Sequence, residues 1–369
     1  MNIHPRASLA LAALAIGALA ACASSVGTPA AGPAGPAAPA ASRAAVEARP
    51  VLAIHGGAGV VRAGLSEADQ AAARAGLERA LRAGHAKLAA GANALDAVTT
   101  AITVLEDDPS FNAGRGAVFT HDGRNELDAS LMDGHDGRAG AVAGVQRVRN
   151  PILLARAVME HSPHVMLVGE GAEAFARHRG IEQVDPGYFR TERRWDQLQR
   201  ALRRDAADGA EAGAQAGPGG DEPPYFGTVG AVALDAAGRL AAGTSTGGMT
   251  NKRWGRVGDA PIIGAGTWAD AGCAVSGTGW GEFYIRTAAA HEVCARVRLR
   301  GEALASAADA VINGDVVRAG GDGGAIALDA RGNVAFPFNT EGMYRGWIGA
   351  DGVPHVAVFA DEALVVPAP

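Results

Sequence analysis

A glycine-rich, charged tract separates a helix-forming part of the sequence from a β-forming part. Residues 204–224 are mostly Ala, Gly, Asp, Glu, Arg and Pro and show no periodic apolar face, so they are predicted to form a mobile surface loop or linker. The apolar run 229–234 begins shortly afterwards, directly behind the Gly227–Thr228 bond. A fold for this chain must therefore start a strand at the end of a flexible segment.

The second part of the chain is predicted to be rich in β-structure. Residues 229–234 and 240–244 are apolar runs joined by a turn sequence, and a similar hairpin is predicted in residues 325–336. Between these hairpins, residues 282–299 and 302–318 are predicted to be helices. Because strands and helices occur in separate blocks, the sequence favours a layered α+β fold.

The first part contains three predicted helix starts. Ser66 is followed by Asp69 at the spacing of a helix N-cap, and Asn93 precedes a second periodic apolar segment. Pro151, directly after Asn150, occupies the favoured first position of a third helix. Ser66 and Asn93 therefore mark a predicted helical pair.

Short apolar runs in the same part are predicted to be strands. Residues 51–54 lead into the glycine-rich sequence 55–59, which is predicted to be a tight turn and matches neither common phosphate-binding motif. Residues 117–119, 127–132 and 141–148 are also predicted to be strand-like.

The N-terminal residues have the pattern of an export signal. An apolar stretch, residues 9–18, is too short to span a bilayer, so residues 1–21 are predicted to be a signal peptide. The Leu-Ala-Ala-Cys sequence that ends at Cys22 resembles a bacterial lipobox, and a soluble secreted protein is the alternative. Residues 22–50 are predicted to be an Ala/Pro-rich tether. The predicted location is the periplasm or the outer membrane, with a lipid anchor on Cys22.

Composition argues against some classes of partner and does not decide whether the cysteines pair. With 369 residues, 48% of them hydrophobic, the chain can form a sizeable core. A net charge of -6 and the lack of a Lys/Arg run argue against a nucleic-acid partner. Cys273 and Cys294 are predicted to be two buried thiols, although an oxidising compartment would allow them to pair.

Thr228 is the candidate nucleophile. If the chain is cut before it, Thr228 gains a free α-amine with a pKa of about 8, which can take the proton from its own hydroxyl. One residue would then supply both nucleophile and base.

Two stretches beyond Thr228 carry candidate partners. Arg256 can bind a carboxylate through two parallel hydrogen bonds and Asp259 can pair with an ammonium group, so together they would recognise an amino-acid backbone; a surface ion pair between them is the alternative. Thr278 and Gly279 precede a predicted helix, where unpaired backbone N–H groups could stabilise an oxyanion. An ordinary glycine-rich helix entry is the alternative there.

The loop 105–116 is acidic at its start and rich in glycine at its end. Its backbone carbonyls could ligate a hard cation. A solvated helix C-terminus is the commoner explanation of such a loop.

Taken together, these stretches resemble one family. The chain is similar to the isoaspartyl peptidase/L-asparaginase family, the plant-type asparaginases of the N-terminal nucleophile hydrolase superfamily, from about Val51 to near the C-terminus. Agreement across many separated stretches is more specific than any single motif. The matching sequences, in family order, are HGGAG, LEDDPSFNAGRGAVF, NELDASLMDG, GTVGAVALD, TSTGGMTNK, GRVGDAPIIGAG, SGTGWGE and FPFNTEGMYR.

The resemblance implies a fold and a maturation step. It implies a four-layer αββα sandwich assembled from two subunits of one precursor, which cuts itself between Gly227 and Thr228. The α subunit would comprise residues 51–227, with a flexible tail at 204–227, and the β subunit residues 228–369. Two αβ units would then associate as (αβ)2.

The resemblance also implies roles for individual residues. Thr246 would orient the hydroxyl and amine of Thr228, while Arg256 and Asp259 would hold the α-carboxylate and α-ammonium of an aspartyl group. Thr278 and Gly279 would form the oxyanion hole. The implied substrates are β-aspartyl dipeptides and L-asparagine, with no cofactor for catalysis. The implied structural sodium would be bound by the backbone carbonyls of Leu105, Glu106, Asp108, Phe111, Ala113 and Arg115.

The sequence departs from the family pattern at three positions. Trp280 replaces a residue that is usually small and polar, and Trp254 replaces a less bulky one beside Arg256. Arg115 stands where an uncharged residue is more usual. These departures put the leaving-group preference in doubt rather than the core chemistry.

Two alternatives remain from the sequence. A glycosylasparaginase-like amidase would share the Thr-led strand and the GRVGD stretch, but the HGGAG start favours the asparaginase branch. A self-cleaved, non-catalytic surface lipoprotein that binds amino acids would tolerate loss of Thr228, Thr246, Arg256 or Asp259, and all four are present.

Overall fold

The apolar runs of the sequence form strands and helices in residues 49–208 and 227–364, the ranges that the computed structural model describes. All of these residues belong to one compact unit, Val46–Pro369. The predicted signal peptide, Cys22 and nearly all of the predicted tether lie outside the described residues.

Within these ranges the chain forms twelve strands and eight α-helices. The strands are β1 (Val51–Ala58), β2 (Leu127–Asp133), β3 (Ala139–Val145), β4 (Met166–Val168), β5 (Val229–Leu234), β6 (Leu240–Thr246), β7 (Thr267–Ala269), β8 (Cys273–Gly279), β9 (Gly323–Asp329), β10 (Val334–Ala335), β11 (Gly342–Ile348) and β12 (Pro354–Phe359). The α-helices are α1 (Glu67–Ala89), α2 (Ala94–Glu106), α3 (Pro151–His161), α4 (Gly169–Arg179), α5 (Glu192–Asp208), α6 (Gly281–Thr287), α7 (Ala289–Arg300) and α8 (Leu304–Asp309).

The strands form two sheets. The larger has the order β12-β11-β1-β5-β6-β2-β3-β4, and the smaller has the order β10-β9-β8-β7. One apolar core lies between α1, α2, α3 and the larger sheet, a second lies between the two sheets, and a third packs α7 and α8 on the smaller sheet. These layers confirm the predicted α+β fold of the αββα type.

The predicted hairpin after Thr228 is confirmed. Strands β5 and β6 pair antiparallel from Val229 opposite Ser245 to Leu234 opposite Leu240. The turn between them is closed by Asp235, whose Oδ1 accepts hydrogen bonds from backbone N–H groups two and four residues ahead at 2.9 and 3.0 Å.

The predicted helix starts are also confirmed. The Ser66 hydroxyl accepts the backbone N–H of Asp69 at the start of α1, and the Asn93 side chain accepts that of Asp96 at the start of α2. Pro151 is the first residue of α3. Local capping signals were sufficient to place these three helices.

Two predictions near the start of the fold were wrong. Residues 55–58 are not a turn, because β1 continues through them to Ala58 with a bulge between His55 and Gly57. Residues 117–119 are not a strand but an irregular segment after a short 3-10 helix, Gly114–Gly116.

One helix predicted in the second part is interrupted, and the other changes type. Ala288 has a φ of 47°, which ends α6 and separates it from α7. The chain is helical from residue 304 to residue 318, but α8 is followed by a π-helical segment, Ala310–Val316. Asn339 donates its side-chain N–H to the carbonyl of Ile312 in this segment at 3.1 Å.

The first residues of the predicted flexible tail are helical instead. Helix α5 extends to Asp208, so residues 204–208 are helical. Residues 209–226 lie outside the described residues, and Gly227 is described again.

The prediction of two buried thiols was wrong. Cys273 begins β8 and Cys294 lies on α7, which packs against that strand, and the two residues form a disulfide with a Cα–Cα distance of 5.4 Å. Sequence spacing could not show that this helix face meets this strand. Among the described residues, no helix has the length and apolar character needed to cross a membrane.

We expect reductant to lower the free energy of unfolding by about 2–4 kcal/mol, because the disulfide restrains the unfolded chain. Chemical unfolding with and without dithiothreitol measures this difference. A Cys273→Ala/Cys294→Ala variant is the control and should be insensitive to dithiothreitol. Equal stability of the wild-type protein in both conditions would contradict the disulfide.

Candidate active site

Thr228 lies beside Thr246 because of the pairing of β5 with β6. Val229 is opposite Ser245, so the residue before β5 meets the residue that ends β6. The two hydroxyl oxygens are 2.8 Å apart, and the Thr246 hydroxyl also accepts the backbone N–H of Gly248 at 3.0 Å. Thr246 is only 3% exposed. Its hydroxyl is therefore fixed against that of Thr228.

The Gly227 carbonyl is held by Asn112. Gly227 has a φ of 102°, a conformation that favours glycine, and a Cβ there would come within 2.7 Å of the Asn112 nitrogen. The backbone N–H of Asn112 donates to the Gly227 carbonyl at 2.9 Å, and its side-chain N–H donates to the carbonyl of Gly248 at 2.7 Å. Sequence analysis missed Asn112, whose only signal was its place in the FNAGRG stretch.

Thr278 and Gly279 end β8 near the end of β1. The Thr278 hydroxyl accepts the backbone N–H of Ala58 at 3.2 Å, which leaves its own hydrogen for another acceptor. Thr278 is 1% exposed, and its carbonyl accepts the Tyr284 hydroxyl at 3.3 Å. One hydrogen bond thus holds the side chain of Thr278 and another holds its backbone.

Asp259 is a buried carboxyl beside the same strand. It is 6% exposed, and Cβ atoms placed on Gly277 and Gly281 would approach its two oxygens at 3.5 and 2.8 Å. Burial raises its pKa to about 6, although Arg256 acts in the opposite direction. Among the described residues, its buried Oδ2 has no hydrogen-bond partner.

Arg256 pairs with Glu282 rather than with Asp259. Its Nε and Nη2 donate to the two carboxylate oxygens of Glu282 at 2.9 and 2.7 Å. The indole of Trp280 also hydrogen-bonds to Glu282. The alternative of a surface ion pair between Arg256 and Asp259 therefore does not describe this geometry. Sequence analysis missed Glu282, since an acidic residue at a helix start is usually only a favourable charge.

The turn that carries Arg256 is held by helix α5. Asn251 and Trp254 have φ values of 67° and 57°, which are uncommon for non-glycine residues. Asp205 on α5 accepts the Asn251 side-chain N–H at 2.9 Å and Nη2 of Arg253 at 2.6 Å. Trp254 itself is 89% exposed. Asp205, in the tract predicted to be flexible, is thus a support for this turn that sequence analysis missed.

His55 contacts the backbone carbonyl of Thr228. Its Nδ1 is 3.0 Å from the Thr228 carbonyl oxygen, and its Nε2 is 2.9 Å from the Ser276 hydroxyl. His55 and Ser276 are completely buried. Nothing in the glycine-rich stretch 55–59 had singled out this histidine as a site residue.

The predicted sodium ligands lie at the end of α2 and in the loop that follows it. The Asp108 carboxylate accepts Arg79 at 2.7 Å and the backbone N–H of Ser110 at 2.9 Å, so this carboxylate is already used. Cβ atoms on Gly114 and Gly116 would meet the carbonyl oxygens of Glu106 and Phe111 at 2.3 and 2.0 Å, so a side chain at either glycine would displace a predicted ligand. Backbone carbonyls are a ligand type that hard cations bind. Among the described residues, no group of three or more His, Cys, Asp or Glu side chains could hold a metal ion.

Comparison with known proteins decides the family. The family described as "Asparaginase" matches residues 48–358. The chain belongs to the asparaginase family.

Asparaginase-family relatives match nearly their whole length. The isoaspartyl peptidase of Escherichia coli strain K12 is 50% identical over 320 residues, which cover 86% of this chain and 98% of the relative. A probable isoaspartyl peptidase/L-asparaginase 2 of Arabidopsis thaliana is 41% identical, with coverage of 84% and 98%. A plant-type L-asparaginase of Pyrococcus abyssi strain GE5/Orsay is 45% identical, with coverage of 79% and 93%. Roles of single residues in this asparaginase-family chain stay predictions.

Proposed function

We propose that this chain is an N-terminal threonine hydrolase that cuts itself at Gly227–Thr228 and then hydrolyses β-aspartyl dipeptides and the side-chain amide of L-asparagine. The observation that carries the proposal is the 2.8 Å contact between the Thr228 and Thr246 hydroxyls directly behind Gly227. The isoaspartyl peptidase and asparaginase names of the relatives support both substrates.

In the proposed maturation, the Thr228 hydroxyl oxygen attacks the Gly227 carbonyl carbon. The new C–O bond replaces the C–N bond, the Thr228 nitrogen takes the hydroxyl proton, and water then hydrolyses the ester. The Asn112 N–H, 2.9 Å from the Gly227 oxygen, would stabilise the negative charge that develops there. The step creates the α-amine that serves as base.

In the proposed hydrolysis, the α-amine of Thr228 takes the proton from its hydroxyl, and the oxygen attacks the substrate side-chain carbonyl. Ammonia or an amino acid leaves, and water releases aspartate from the acyl-enzyme. The Thr278 hydroxyl and the Gly279 backbone would stabilise the oxyanion, because the accepting lone pair of Thr278 is occupied by Ala58 and its hydrogen is not.

Arg256 and Asp259 would bind the two charged groups of the aspartyl moiety. Glu282 already occupies Nε and one hydrogen of Nη2, so the substrate carboxylate would bind the remaining hydrogens of the Arg256 guanidinium. Oδ2 of Asp259, which has no hydrogen-bond partner in the part of the chain that the structure describes, would accept the substrate ammonium. A substrate analogue whose α-carboxylate or α-ammonium group is uncharged or of opposite charge would lose the contact with Arg256 or with Asp259.

We also propose a structural sodium at the loop 105–116, supported by the resemblance of this stretch to the sodium loop of the family. It would be bound by the backbone of Leu105, Glu106, Asp108, Phe111, Ala113 and Arg115 and would not take part in the chemistry. A melting temperature that is equal in sodium and in tetramethylammonium chloride would contradict it.

Export and assembly are further parts of the proposal. The signal-like residues 1–21 and the disulfide, a bond that persists mainly in oxidising compartments, both support export. Lipidation of Cys22 would appear in the mass of the mature protein, and an unmodified N-terminus at another residue would exclude it. Sedimentation of the cut protein tests the (αβ)2 assembly.

We expect the purified wild-type protein to separate on a denaturing gel into two fragments, the smaller beginning at Thr228. Thr228→Ala should remain one chain and release no aspartate from a β-aspartyl dipeptide and no ammonia from asparagine. Thr103→Ala, which removes a half-buried hydroxyl on α2, is the control and should cut and hydrolyse normally. A fully active, uncut wild-type chain would overturn the mechanism.

We expect two ionisations to limit kcat/KM on the acid side. The Thr228 amine must be neutral, with a pKa of about 8, and Asp259 must be charged, with its pKa raised to about 6. The logarithm of kcat/KM should therefore rise with a slope of about 1 between these values and about 2 below pH 6.

Aspartate release between pH 4.5 and pH 9, on the order of one reading per half unit, gives this profile. Asp259→Asn is the control: its residual activity should be lower and should keep a slope of about 1 below pH 6. A slope of 1 throughout in the wild-type enzyme would contradict the role of Asp259.

A further inference from the structure

The contacts of His55 define its tautomer. The Thr228 carbonyl can only accept, so Nδ1 of His55 carries the hydrogen of their 3.0 Å hydrogen bond. Burial lowers the pKa of His55 to about 3, against the opposing effect of the bond to Thr228, so the ring is neutral at physiological pH. Nε2 must then accept, and Ser276 donates its only hydroxyl hydrogen at 2.9 Å.

This hydrogen bond determines which group donates in the contacts of three more hydroxyls. Because the hydrogen of Ser276 is used, Thr244 is the donor in their 2.7 Å contact. Thr267 donates to Thr244 at 2.6 Å, and Ser130 is within 2.8 Å of Thr267. Two backbone carbonyls are alternative acceptors: that of Gly266, 3.1 Å from the Thr244 hydroxyl, and that of Ala260, 2.6 Å from the Ser130 hydroxyl.

We call Ser130, Thr267, Thr244 and Ser276 the hydroxyl chain. Its four residues and His55 are all completely buried. The chain crosses between the sheets, since β1, β2 and β6 belong to the larger sheet and β7 and β8 to the smaller one. Five strands therefore supply one polar path through an otherwise apolar core.

Two features show that the fold makes room for this path. Gly230 on β5 lies beside the contact between the His55 ring and Ser276. A Cβ on Gly230 would lie 2.0 Å from the Ser276 oxygen and 2.3 Å from Nε2 of His55, so only glycine leaves space for this contact. The backbone pairing of β1 with β5 ends at His55 opposite Gly230, just before the bulge. The ring of His55 thus binds the Thr228 carbonyl where the strand ladder has stopped.

We propose that His55 is a positioning residue that fixes the Thr228 carbonyl through its Nδ1–H, and that the hydroxyl chain holds the ring of His55 in this orientation. The inference rests on the proposed function, because it concerns the same nucleophile. Cutting the Gly227–Thr228 bond removes the restraint on one side of Thr228. The carbonyl contact is then a main restraint on the direction of its hydroxyl and amine.

Two substitutions separate the two ring contacts. His55→Asn places an amide nitrogen near the position of Nδ1 and can still donate to Thr228, whereas His55→Gln reaches the position of Nε2 and keeps only Ser276. We expect the Asn variant to keep kcat within about threefold and the Gln variant to lose roughly 10- to 100-fold, since small misplacement of reacting groups has effects of this size. KM should change little in either variant, because His55 does not touch the substrate clamp.

Both variants are compared after the mass of the β subunit has shown that Thr228 is its first residue. Equal kcat values for the Asn and Gln variants, whatever their melting temperatures, would overturn the role of His55. A wild-type protein that neither cuts nor hydrolyses would instead overturn the proposed function.

Ser276→Ala tests the hydroxyl chain without changing His55. Removing the donor to Nε2 leaves that nitrogen without its hydrogen bond, so the ring is held less firmly against the Thr228 carbonyl and kcat should fall at unchanged KM. NMR of labelled histidine nitrogens should show a neutral ring with hydrogen on Nδ1 in the wild-type protein and in Ser276→Ala, with the Nε2 signal shifted by the loss of its donor. Unchanged kcat in Ser276→Ala would contradict the role of the chain. Ser276→Ala also tests the role of His55 if the His55→Gln variant fails to fold.

Discussion

The antiparallel pairing of β5 with β6 is the interaction on which the candidate site depends. A shift of one residue in this register would turn Thr228 to the other face of the sheet and away from Thr246. The Asp235 turn fixes the register at one end, and β5 lies between β1 and β6, so both of its edges are paired. The candidate nucleophile, at the start of a central strand, is therefore positioned by the backbone of the sheet.

Local chemistry made several elements of this structure predictable. Ser66, Asn93 and Pro151 each mark a helix start through contacts within a few residues, and the hairpin turn is equally local. The residues that the sequence did not reveal act across the chain. Asn112 meets Gly227, and Cys273 meets Cys294, only because sheets and helices bring distant segments together. The continuation of β1 through its glycines was missed for the same reason, since β11 supplies the partner strand.

Arg256 and Asp259, the two charged groups of the candidate substrate clamp, differ in how far other residues compensate their charges. This difference favours a ligand that carries both a carboxylate and an ammonium group. Glu282 neutralises one edge of Arg256, whereas the buried Oδ2 of Asp259 receives no hydrogen bond among the described residues. A buried carboxylate without a partner costs free energy, as its raised pKa indicates. A ligand that brings an ammonium group to Asp259 would offset this free-energy cost. The unfavourable burial of the carboxylate would therefore favour binding of such a ligand.

The strand order explains how a chain cut at Gly227–Thr228 would stay in one piece. In the larger sheet, β1 to β4 come from before the proposed cut and β5, β6, β11 and β12 from after it. The order places β1 between β11 and β5, and it places β6 beside β2, so the two parts are hydrogen-bonded along three strand boundaries. His55 and Asn112 would belong to one part and Thr228 to the other, and Asp205 on α5 supports the turn that leads to Arg256. Separating the parts would open the centre of the sheet, so cutting one bond can free the Thr228 amine without loosening the site around it.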